Sequence, residues 1–287
     1  MKHSFIERKL LGLLDAMSGL ICDNLYLRVK FRLMMHRKLH LRNPRTFNER
    51  LQWQKLYDRN PLYHSLVDKI EVKSYVGGKI GEKYVIPTLG VWDSASEIKW
   101  DQLPEKFVIK CTHDSGSTVI CDGAGTFDRQ EASETLNAAL KVDFSKSERE
   151  WAYKGVKPRI IAEQYLGDNI SDYKFFCFDG VPKFMFVASD RQNENEETKF
   201  DFFDMDYNWL DVRNGHPNAI SHPAKPENFE LMKDLASVLS KGISQVRVDF
   251  YEVGGKVYFG EYTFYHWGGF VPFEPEAWDK RFLKWAE

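Results

Sequence analysis

The chain has 287 residues, of which 43% are hydrophobic and 29% are charged, and its formal net charge is −2. This length fits one large domain or a few interlocked lobes, and the composition is ordinary for a globular protein. Because the charge is nearly balanced, the molecule as a whole has no strong attraction for nucleic acid, and no nucleic-acid partner is expected.

The four cysteines form no CxxC pair, which argues against a disulfide scaffold or a cysteine-rich zinc site and favours a reducing compartment. The first twenty residues include Glu7 and Asp15 and lack the apolar core and the small cleavage-site residues of a signal peptide. No stretch of the sequence reaches the length of a transmembrane helix. We therefore expect a cytoplasmic protein.

The first segment of the chain has a helical pattern. Apolar residues recur at helical spacing within residues 5–42, and Asn43-Pro44 ends the segment. Residues 28–42 contain six Lys or Arg residues and no acid. A packed helix with a solvated basic face explains this pattern. The alternative is a peripheral surface that contacts anionic lipid at the inner face of a membrane, or an acidic partner.

Two further helices are predicted before residue 84. Thr46 and Glu49 have the spacing of a capping box, which marks a helix start. Asn60-Pro61 predicts a second start, and that helix is expected to run to about Val76 and to end at Gly77-Gly78. Residues 1–83 are thus predicted to form an N-terminal helical region.

From Tyr84 onward the pattern changes to short strands. Runs of apolar, β-branched and aromatic residues predict strands at 106–112, 119–121, 159–165, 173–178, 183–189, 246–251 and 256–264. Helices are predicted between them at 128–142 and 226–241. Short turns such as Asp179-Gly180 and Gly254-Gly255 indicate antiparallel pairing. The fold class is therefore predicted as α+β.

A candidate phosphate-binding loop follows the first of these strands. Lys110 lies near the strand end, and the small polar turn Asp114–Thr118 offers several backbone amides and hydroxyls to one anion. The spacing is not that of a P-loop. Taken alone, the segment is equally well explained as a hairpin with an exposed lysine.

Two acids lie on the last pair of strands. Folding at Gly254-Gly255 brings Asp249 and Glu261 nearly opposite each other. Neighbouring carboxylates repel unless a cation joins them, and oxygen ligands of this kind suit Mg²⁺. The alternative is a pair of edge carboxylates that face water.

Other candidate groups lie between these segments. The strand ending near Glu163 turns from apolar to polar and can offer backbone groups to a purine edge. Lys174 and Arg191 are cations available to phosphate or to a transition state. His266 follows the last strand and is a candidate for an acceptor pocket, although a lone histidine is a weak signal.

A competing signal is the DxD pattern of Asp204 and Asp206, which metal-dependent glycosyltransferases use to hold a sugar nucleotide. The same residues suit a turn after a strand. The run 193–197 is interpreted as a solvated loop. No GxSxG motif occurs, and no cysteine has an evident histidine partner, so a covalent nucleophile is not indicated.

The order of these features resembles that of the ATP-grasp superfamily. The sequence segments themselves are similar to those of the TupA-like ATP-grasp family, whose members occur in bacterial surface-polysaccharide and teichuronopeptide biosynthesis. The matching segments span roughly Leu41 to Phe264. They include "LPEKFVIKCTH", "KPRIIAEQYL", "DYKFFCFDG" and "VRVDFYEVGGKVYFGEYTF".

The resemblance implies an ATP-grasp core at 84–287, in which two α+β lobes clamp ATP between antiparallel sheets. It implies a nucleotide-clamping lobe at about 106–166 and a metal-binding and catalytic lobe at about 167–287. ATP and Mg²⁺ are the implied cofactors. The implied activity is that of an ATP-dependent carboxylate–amine ligase, which joins a uronic acid or amino acid to an amine through an acyl phosphate. A kinase that stops at phosphorylation and a non-catalytic accessory protein are the alternatives. The resemblance also implies polysaccharide assembly as an alternative contact of the basic N-terminal helix.

The resemblance also implies residue roles. Lys73 and Lys110 correspond to the ATP-phosphate lysines, Lys174 and Arg191 to the cations that face the γ-phosphate and the acyl phosphate, and Asp249 and Glu261 to the magnesium carboxylates. Ser115, Gly116 and Ser117 correspond to the phosphate loop, Glu163, Gln164, Tyr165 and Leu166 to the adenine linker, and Asp172 to the ribose acceptor.

Three positions, in two segments, depart from the family pattern. Thr263 stands where many members have asparagine, and a threonine hydroxyl is a poorer magnesium ligand, so a second metal ion is in doubt. Asp114 and Ser117 stand in the loop where glycine is expected. Because an acid beside phosphates is unfavourable, Asp114 is expected to face away from the nucleotide or to touch metal.

Overall fold

The computed structural model describes residues 4–123, 125, 127–168, 170–191 and 196–286. The interpretation of 193–197 as a solvated loop therefore concerns residues that lie partly outside this description. The described residues form a set of helices followed by two antiparallel sheets.

Five helices precede the first strand: α1 (Phe5–Ala16), α2 (Asp23–Met35), α3 (Phe47–Tyr57), α4 (Leu62–Val67) and α5 (Glu71–Ile80). The single helix expected across 5–42 is two helices, because the chain leaves the α-helical path in a 3₁₀ turn at Ser18–Leu20. Ser18 and Gly19 have low helix propensity, which explains the break.

The second expected helix is also divided. Asn60 accepts a hydrogen bond from the Leu62 amide at 3.0 Å, as expected of a cap. Asp68 is extended and ends α4, and its carboxylate accepts hydrogen bonds from the amides of Ile70 and Glu71 at the start of α5. The predicted end at Gly77-Gly78 is wrong, because α5 continues to Gly81, whose φ of 108° favours glycine.

The predicted capping box is half formed. The Thr46 hydroxyl accepts a hydrogen bond from the Glu49 amide at 3.3 Å and caps α3. The Glu49 carboxylate accepts instead from the amides of His40 and Arg45, at 3.1 and 2.6 Å. Glu49 thus ties the preceding loop to the helix.

The first sheet has four strands in the order β1-β4-β2-β3. They are β1 (Thr88–Trp92), β2 (Phe107–Cys111), β3 (Val119–Cys121) and β4 (Ile160–Gln164), and all pairs are antiparallel. Helix α6 (Arg129–Ala139) and the short α7 (Phe144–Ser147) lie between β3 and β4 in the sequence. Leu136 of α6 is buried in one core with Phe107 and Ile109 of β2.

The second sheet has six strands in the order β10-β9-β5-β6-β7-β8, again all antiparallel. They are β5 (Asp172–Phe178), β6 (Val181–Ser189), β7 (Lys199–Asp204), β8 (Trp209–Leu210), β9 (Val246–Val253) and β10 (Lys256–Thr263). Helices α8 (Phe229–Ser240) and α9 (Ala277–Trp285) complete the chain. The predicted α+β class with antiparallel sheets is confirmed. The short strands β1 and β8 were not predicted.

Helices cover both faces of the second sheet. Residues of α4, α5 and α8 share one core with the sheet, including Tyr63 and Leu235. On the other face Phe47 of α3 packs edge-on against Phe176 and Phe184, in the core that also holds α9. Helices α3 to α5 therefore bury their apolar side chains against the sheet, where aromatic clusters contribute strongly to stability.

Helices α1 and α2 form a smaller core with Phe270. Leu14 is the buried residue of α1, so this helix leaves most of its apolar side chains exposed. Within the described part of the chain, no helix combines the length and apolar character that crossing a membrane requires.

Candidate active site

A cavity of about 420 Å³, here called the first cavity, opens between the two sheets. The first sheet contributes Lys110 and Glu163, and the second contributes Asp172, Tyr251 and Glu261. The two sheets thus present charged side chains to one cleft.

On the first sheet, an ion-paired cluster centred on Glu163 borders the first cavity. Strands β2 and β4 pair so that Val108 lies opposite Glu163, which puts Lys110 and Glu163 on the same face. The Lys110 ammonium lies 2.6 Å from one Glu163 oxygen, and the Lys73 ammonium from α5 lies 2.5 Å from the other. One carboxylate therefore holds both predicted phosphate lysines.

This pairing controls the protonation of all three groups. Burial opposes ionisation of Glu163, but Lys110 and Lys73 outweigh it and lower its pKa to about 2. Burial alone would lower the pKa of Lys110, yet the attraction of Glu163 raises it overall. For Lys73 burial dominates, and its pKa is lowered. Lys110 is thus held as a cation at the cleft.

The loop after β2 bends over the same cavity. Ser115, Gly116 and Thr118 line it, and Gly116 has a φ of 128° that favours glycine. The buried Asp114 carboxylate accepts a hydrogen bond from the Ser117 hydroxyl at 2.8 Å, and that hydroxyl accepts one from the Cys111 amide. The Lys69 ammonium donates to the Asp114 carbonyl. Asp114 and Ser117 therefore fix the loop from within.

Gln164, the last residue of β4, and the following residues Tyr165 to Gly167 form another wall of the cavity. Gln164, Tyr165 and Leu166 are positions predicted to meet adenine. Glu163, the first residue of that predicted linker, is engaged by the two lysines instead.

On the second sheet, Lys174 and Asp249 are direct partners across β5 and β9, and their charged groups are in contact. Lys174 also lies 2.6 Å from Asp172, whose second partner is Arg191 at 2.5 Å. Burial raises the pKa of Asp172 although Lys174 and Arg191 oppose the shift. Its Oδ1 is buried without a hydrogen-bond partner in the part of the chain that is described.

Arg247 joins the two acids predicted to bind metal. Its guanidinium donates to Asp249 at 2.6 and 2.7 Å, to Glu261 at 3.3 Å and to the Thr263 hydroxyl at 2.8 Å. Arg247 and Lys174 together lower the pKa of Asp249 against the opposing effect of burial. The cation between Asp249 and Glu261 is thus a side chain of the protein.

His266 lies behind this arginine. Its Nδ1 is 2.8 Å from the Arg247 guanidinium and its Nε2 is 2.8 Å from the Asn214 amide oxygen. Burial, together with Arg247 and Lys174, lowers the pKa of His266 well below its usual value. A neutral His266 can accept the hydrogen bond from Arg247, so it orients the guanidinium.

The bulge in the last hairpin brings Glu261 into the site. Phe259 pairs with Phe250 and Tyr262 with Val248, so two residues, Gly260 and Glu261, lie opposite Asp249. A side chain at Gly260 would come within 3.2 Å of the Asp249 carbonyl oxygen, so glycine allows the close approach.

A second cavity of about 580 Å³ adjoins the first. Ser115, Arg191 and Glu261 line both. Lys174, Arg247 and His266 also face the second cavity, which extends to aromatic side chains and to Glu148 and Glu150. The arrangement therefore offers two adjoining compartments with the catalytic candidates at their junction.

The model of the TupA-like ATPgrasp family matches residues 49–283. The chain belongs to this family. Its two antiparallel sheets with a cleft between them are accordingly an ATP-grasp fold, as the sequence resemblance implied. The match covers both sheets, α4, α5 and most of α3.

Solved ATP-grasp structures give weaker likenesses. They include D-alanine–D-alanine ligase from Bacillus anthracis (16% identity, TM-score 0.40, covering 69% of this chain and 56% of that one). L-amino acid ligase from Bacillus licheniformis is 13% identical with a TM-score of 0.45, and the match covers 75% of this chain and 47% of that one. A third structure is the biotin carboxylase domain of 2-oxoglutarate carboxylase from Hydrogenobacter thermophilus, solved with MgADP and bicarbonate. It is 16% identical with a TM-score of 0.43, and the match covers 69% of this chain and 39% of that one.

This chain thus spans about half the length of the first two of these structures. No curated protein matches it. The assignment to the ATP-grasp fold comes from the family match.

Most of the residues predicted for the ATP-grasp site converge at the cleft. Lys73 does not line the first cavity but lines a small neighbouring one. The Ser117 hydroxyl donates a hydrogen bond to Asp114 within the loop. Lys69, Tyr251 and Arg247 line the cavities but were not predicted. Arg247 alternates with Asp249 on one strand, which was the available signal.

The residues present fit a magnesium ion that arrives with nucleotide. Mg²⁺ in such sites takes one or two carboxylates together with phosphate oxygens and water. Glu261 has a 45% exposed side chain and one oxygen without a protein partner among the described residues. Asp249 ligates only if Lys174 or Arg247 moves, so its metal role stays a prediction. Nowhere in the described chain do three His, Cys, Asp or Glu side chains form a metal cluster.

The DxD pattern forms a turn. The Asp204 carboxylate accepts hydrogen bonds from the amides of Asp206 and Asn208, at 3.0 and 2.8 Å. Neither aspartate is among the residues that line the first or the second cavity. This geometry favours the turn interpretation over a sugar-nucleotide site.

Proposed function

We propose that the protein is an ATP-dependent carboxylate–amine ligase. The observation that carries this proposal is the meeting of two cavities at Ser115, Arg191 and Glu261. A phosphoryl-transfer enzyme needs a nucleotide compartment and an acceptor compartment that share the reacting atoms, with cations at the point of contact.

ATP would occupy the first cavity. Lys110 and the backbone of Ser115 and Gly116 would bind the phosphates, and Gln164 to Leu166 would bind the adenine edge. The unpartnered Oδ1 of Asp172 is a ready acceptor for a ribose hydroxyl. Bound Mg²⁺ would neutralise phosphate charge, with Glu261 as its protein ligand.

The carboxylate substrate would lie in the second cavity against Lys174, Arg191 and Arg247. Its oxygen attacks the γ-phosphorus, the bond from that phosphorus to the bridging oxygen breaks, and ADP leaves with the electron pair. The three cations stabilise the charge on the transferring group. The product of this step is an acyl phosphate.

An amine then attacks the carbonyl carbon of the acyl phosphate. The new carbon–nitrogen bond forms as the carbon–oxygen bond to phosphate breaks, and phosphate leaves with the electron pair and takes the surplus proton. The resemblance to proteins of surface-polysaccharide biosynthesis suggests a uronic acid or amino acid of a capsule, lipopolysaccharide or teichuronopeptide as the carboxylate.

ADP release tests this function. Purified protein with ATP and Mg²⁺ is screened against amino acids and uronic acids as carboxylates, each with and without a second panel of amines. We expect ADP release that needs both substrates, and its loss in Lys110→Ala, with Lys241→Ala as the surface control.

Each rival function predicts a different result. ADP release with a carboxylate but without any amine product indicates a kinase. A protein that ATP does not stabilise against heat, and in which Lys110→Ala has no effect, is an accessory protein. Loss of activity in Asp206→Ala would favour the glycosyltransferase. For the ligase, ATP at about 100 times its Kd should raise the free energy of unfolding by about 2.7 kcal/mol.

We also propose that α1 lies on an anionic membrane surface. Ile6, Leu10, Leu13 and Met17 follow one another at helical spacing and are 42 to 68% exposed, so they form an uncovered apolar stripe. Residues 1–42 contain nine Lys or Arg against three Asp or Glu, whereas the whole chain has a net charge of −2. An apolar stripe within a basic segment suits anionic lipid.

Vesicle sedimentation tests this contact. We expect binding to phosphatidylcholine vesicles that contain phosphatidylglycerol, weaker binding at high salt, and loss of binding when Leu10 and Leu13 are changed to glutamate. Val238→Glu, at an exposed position of α8, is the control. Equal binding by the Leu10/Leu13 variant, or a dimer in solution that this variant breaks, would contradict the lipid assignment.

A further inference from the structure

The second cavity has walls of opposite charge. Lys174, Arg191 and Arg247 line one part of it, and Arg191 also lines the first cavity. Glu148 and Glu150, from the segment after α7, line another part of it. The cationic wall suits the carboxylate substrate, but it gives no role to the two glutamates.

Glu150 is a buried carboxylate without a partner. Its residue is 8% exposed, and its side chain makes no hydrogen bond or ion pair with the residues that the structure describes. Burial raises the pKa of Glu150 to about 8, although the nearby Lys55 opposes the shift. At this pKa the group is largely protonated at neutral pH, and a cation bound beside it would favour the ionised form. The position of this carboxyl group in a cavity wall, with no ion pair to the described residues, therefore points to a cationic ligand.

The neighbouring lysines are bound to other groups. The Lys55 ammonium donates to the Gly268 carbonyl oxygen at 2.7 Å and lies 4.4 Å from the centre of the Phe270 ring. Lys30 lies 3.6 Å from Glu148 and 3.7 Å from Asp15. These contacts leave the Glu150 carboxylate as the open acceptor of this wall.

We propose that Glu148 and Glu150 bind the ammonium group of the amine substrate. The inference rests on the proposed ligase function and names the class of its second substrate. Tyr153, Tyr265 and Trp267 also line this cavity, and aromatic faces attract an organic cation.

A consequence is that the site selects amines that carry a positive charge at neutral pH. Amino acids and amino sugars have this charge, whereas N-acetylated amino sugars lack it. The carboxylate to be activated would lie at the cationic wall and the ammonium at the acidic wall, so the two substrates would be distinguished by charge.

Calorimetric titration with paired probes tests the assignment. Wild type and Glu150→Gln are first loaded with Mg²⁺ and adenylyl imidodiphosphate, then titrated with glucosamine and N-acetylglucosamine, and with L-glutamate and glutarate. We expect wild type to bind the ammonium member of at least one pair at least tenfold more tightly, and Glu150→Gln to lose that preference.

Two further variants sharpen the result. Glu148→Gln should reduce the preference and covers the case in which Glu150→Gln fails to fold, whereas Glu227→Gln on the surface should keep it. Absence of an ammonium preference in wild type for every pair, or its persistence in both cavity variants, overturns the proposal. If wild type does not bind the nucleotide, the ligase function is contradicted instead. The same titrations are then repeated with nucleotide-free protein, and they still show whether Glu148 and Glu150 bind an ammonium group.

Discussion

At the scale of single residues, the site depends on carboxylates that hold cations in place. Glu163 keeps Lys73 and Lys110 side by side, and Asp249 does the same for Lys174 and Arg247. Buried lysines otherwise tend to lose their charge. These acids therefore preserve the positive charge that a triphosphate would need.

Replacement of Glu163 with glutamine should destabilise the protein. The change leaves two largely buried ammonium groups without their shared carboxylate, and breaking such a pair costs about 3–5 kcal/mol. We expect urea unfolding at pH 7 to show a lower free energy of unfolding, with Glu227→Gln as the exposed control.

The pH dependence of this difference gives a second check. Because the folded pKa of Glu163 is lowered to about 2 from 4.5, its stabilising effect is complete above about pH 4.5 and is lost as the pH falls toward 2. The stability of wild type relative to Glu163→Gln should decline over that range. A difference that is independent of pH would show that the charge of Glu163 is not responsible.

The sequence was a better guide to which charged residues belong to the site than to the ion pairs that these residues form. Lys110, Lys174, Asp249 and Glu261 stand out because each is a charge within an apolar strand. The pairing of Glu163 with two lysines depends on the β2–β4 register and on α5, and Glu163 is 53 residues from Lys110 and 90 residues from Lys73 in the chain. Partners of this kind cannot be read from local patterns.

At the scale of secondary-structure elements, local turn chemistry was a reliable guide where the chain doubles back on itself. Gly254 and Gly255 both have positive φ, at 56° and 73°, and join β9 to β10 as predicted. The bulge that brings Gly260 and Glu261 opposite Asp249 was not predictable, because it depends on contacts across the sheet.

Helix α5 illustrates the opposite case, since two glycines that usually end a helix lie inside it. Val72 and Val76 bury the helix against the second sheet, and this packing outweighs the low propensity of Gly77 and Gly78. The helix ends only at Gly81, where the backbone requires glycine.

Alanine substitutions should separate these two kinds of glycine. A side chain at Gly78 would meet no atom within 4 Å, so Gly78→Ala should stabilise the protein by about 0.5–1 kcal/mol. Gly81→Ala should destabilise it by about 1–3 kcal/mol, because its φ of 108° is strained for alanine. Thermal unfolding of both variants measures the difference, and equal effects would contradict the assigned end of α5.

At the scale of the whole molecule, the sequence was sufficient for the fold and insufficient for the second cavity. The short turns between the predicted strands indicated antiparallel pairing, and the resemblance to the ATP-grasp superfamily implied two such sheets. The second cavity combines Met34 of α2, Glu148 and Glu150 after α7, and Trp267 after β10. These segments are distant in sequence and share no motif, so only the folded chain brings them together.

The division of the charged residues between two cavities is the central feature of the molecule. In the proposed ligase, the triphosphate would meet the cations and the loop of the first cavity, and the two further substrates would meet the cationic and acidic walls of the second. Arg191 and Glu261 lie at their junction, where the γ-phosphate would have to be.

A crystal structure with Mg²⁺ and a non-hydrolysable ATP analogue tests this account most directly. We predict the triphosphate in the cleft between the sheets, with Lys110 at the phosphates, a metal ion on Glu261, and the γ-phosphate between Arg191 and Arg247. A nucleotide bound elsewhere, or a triphosphate that reaches Lys110 but points away from Glu261, would contradict it.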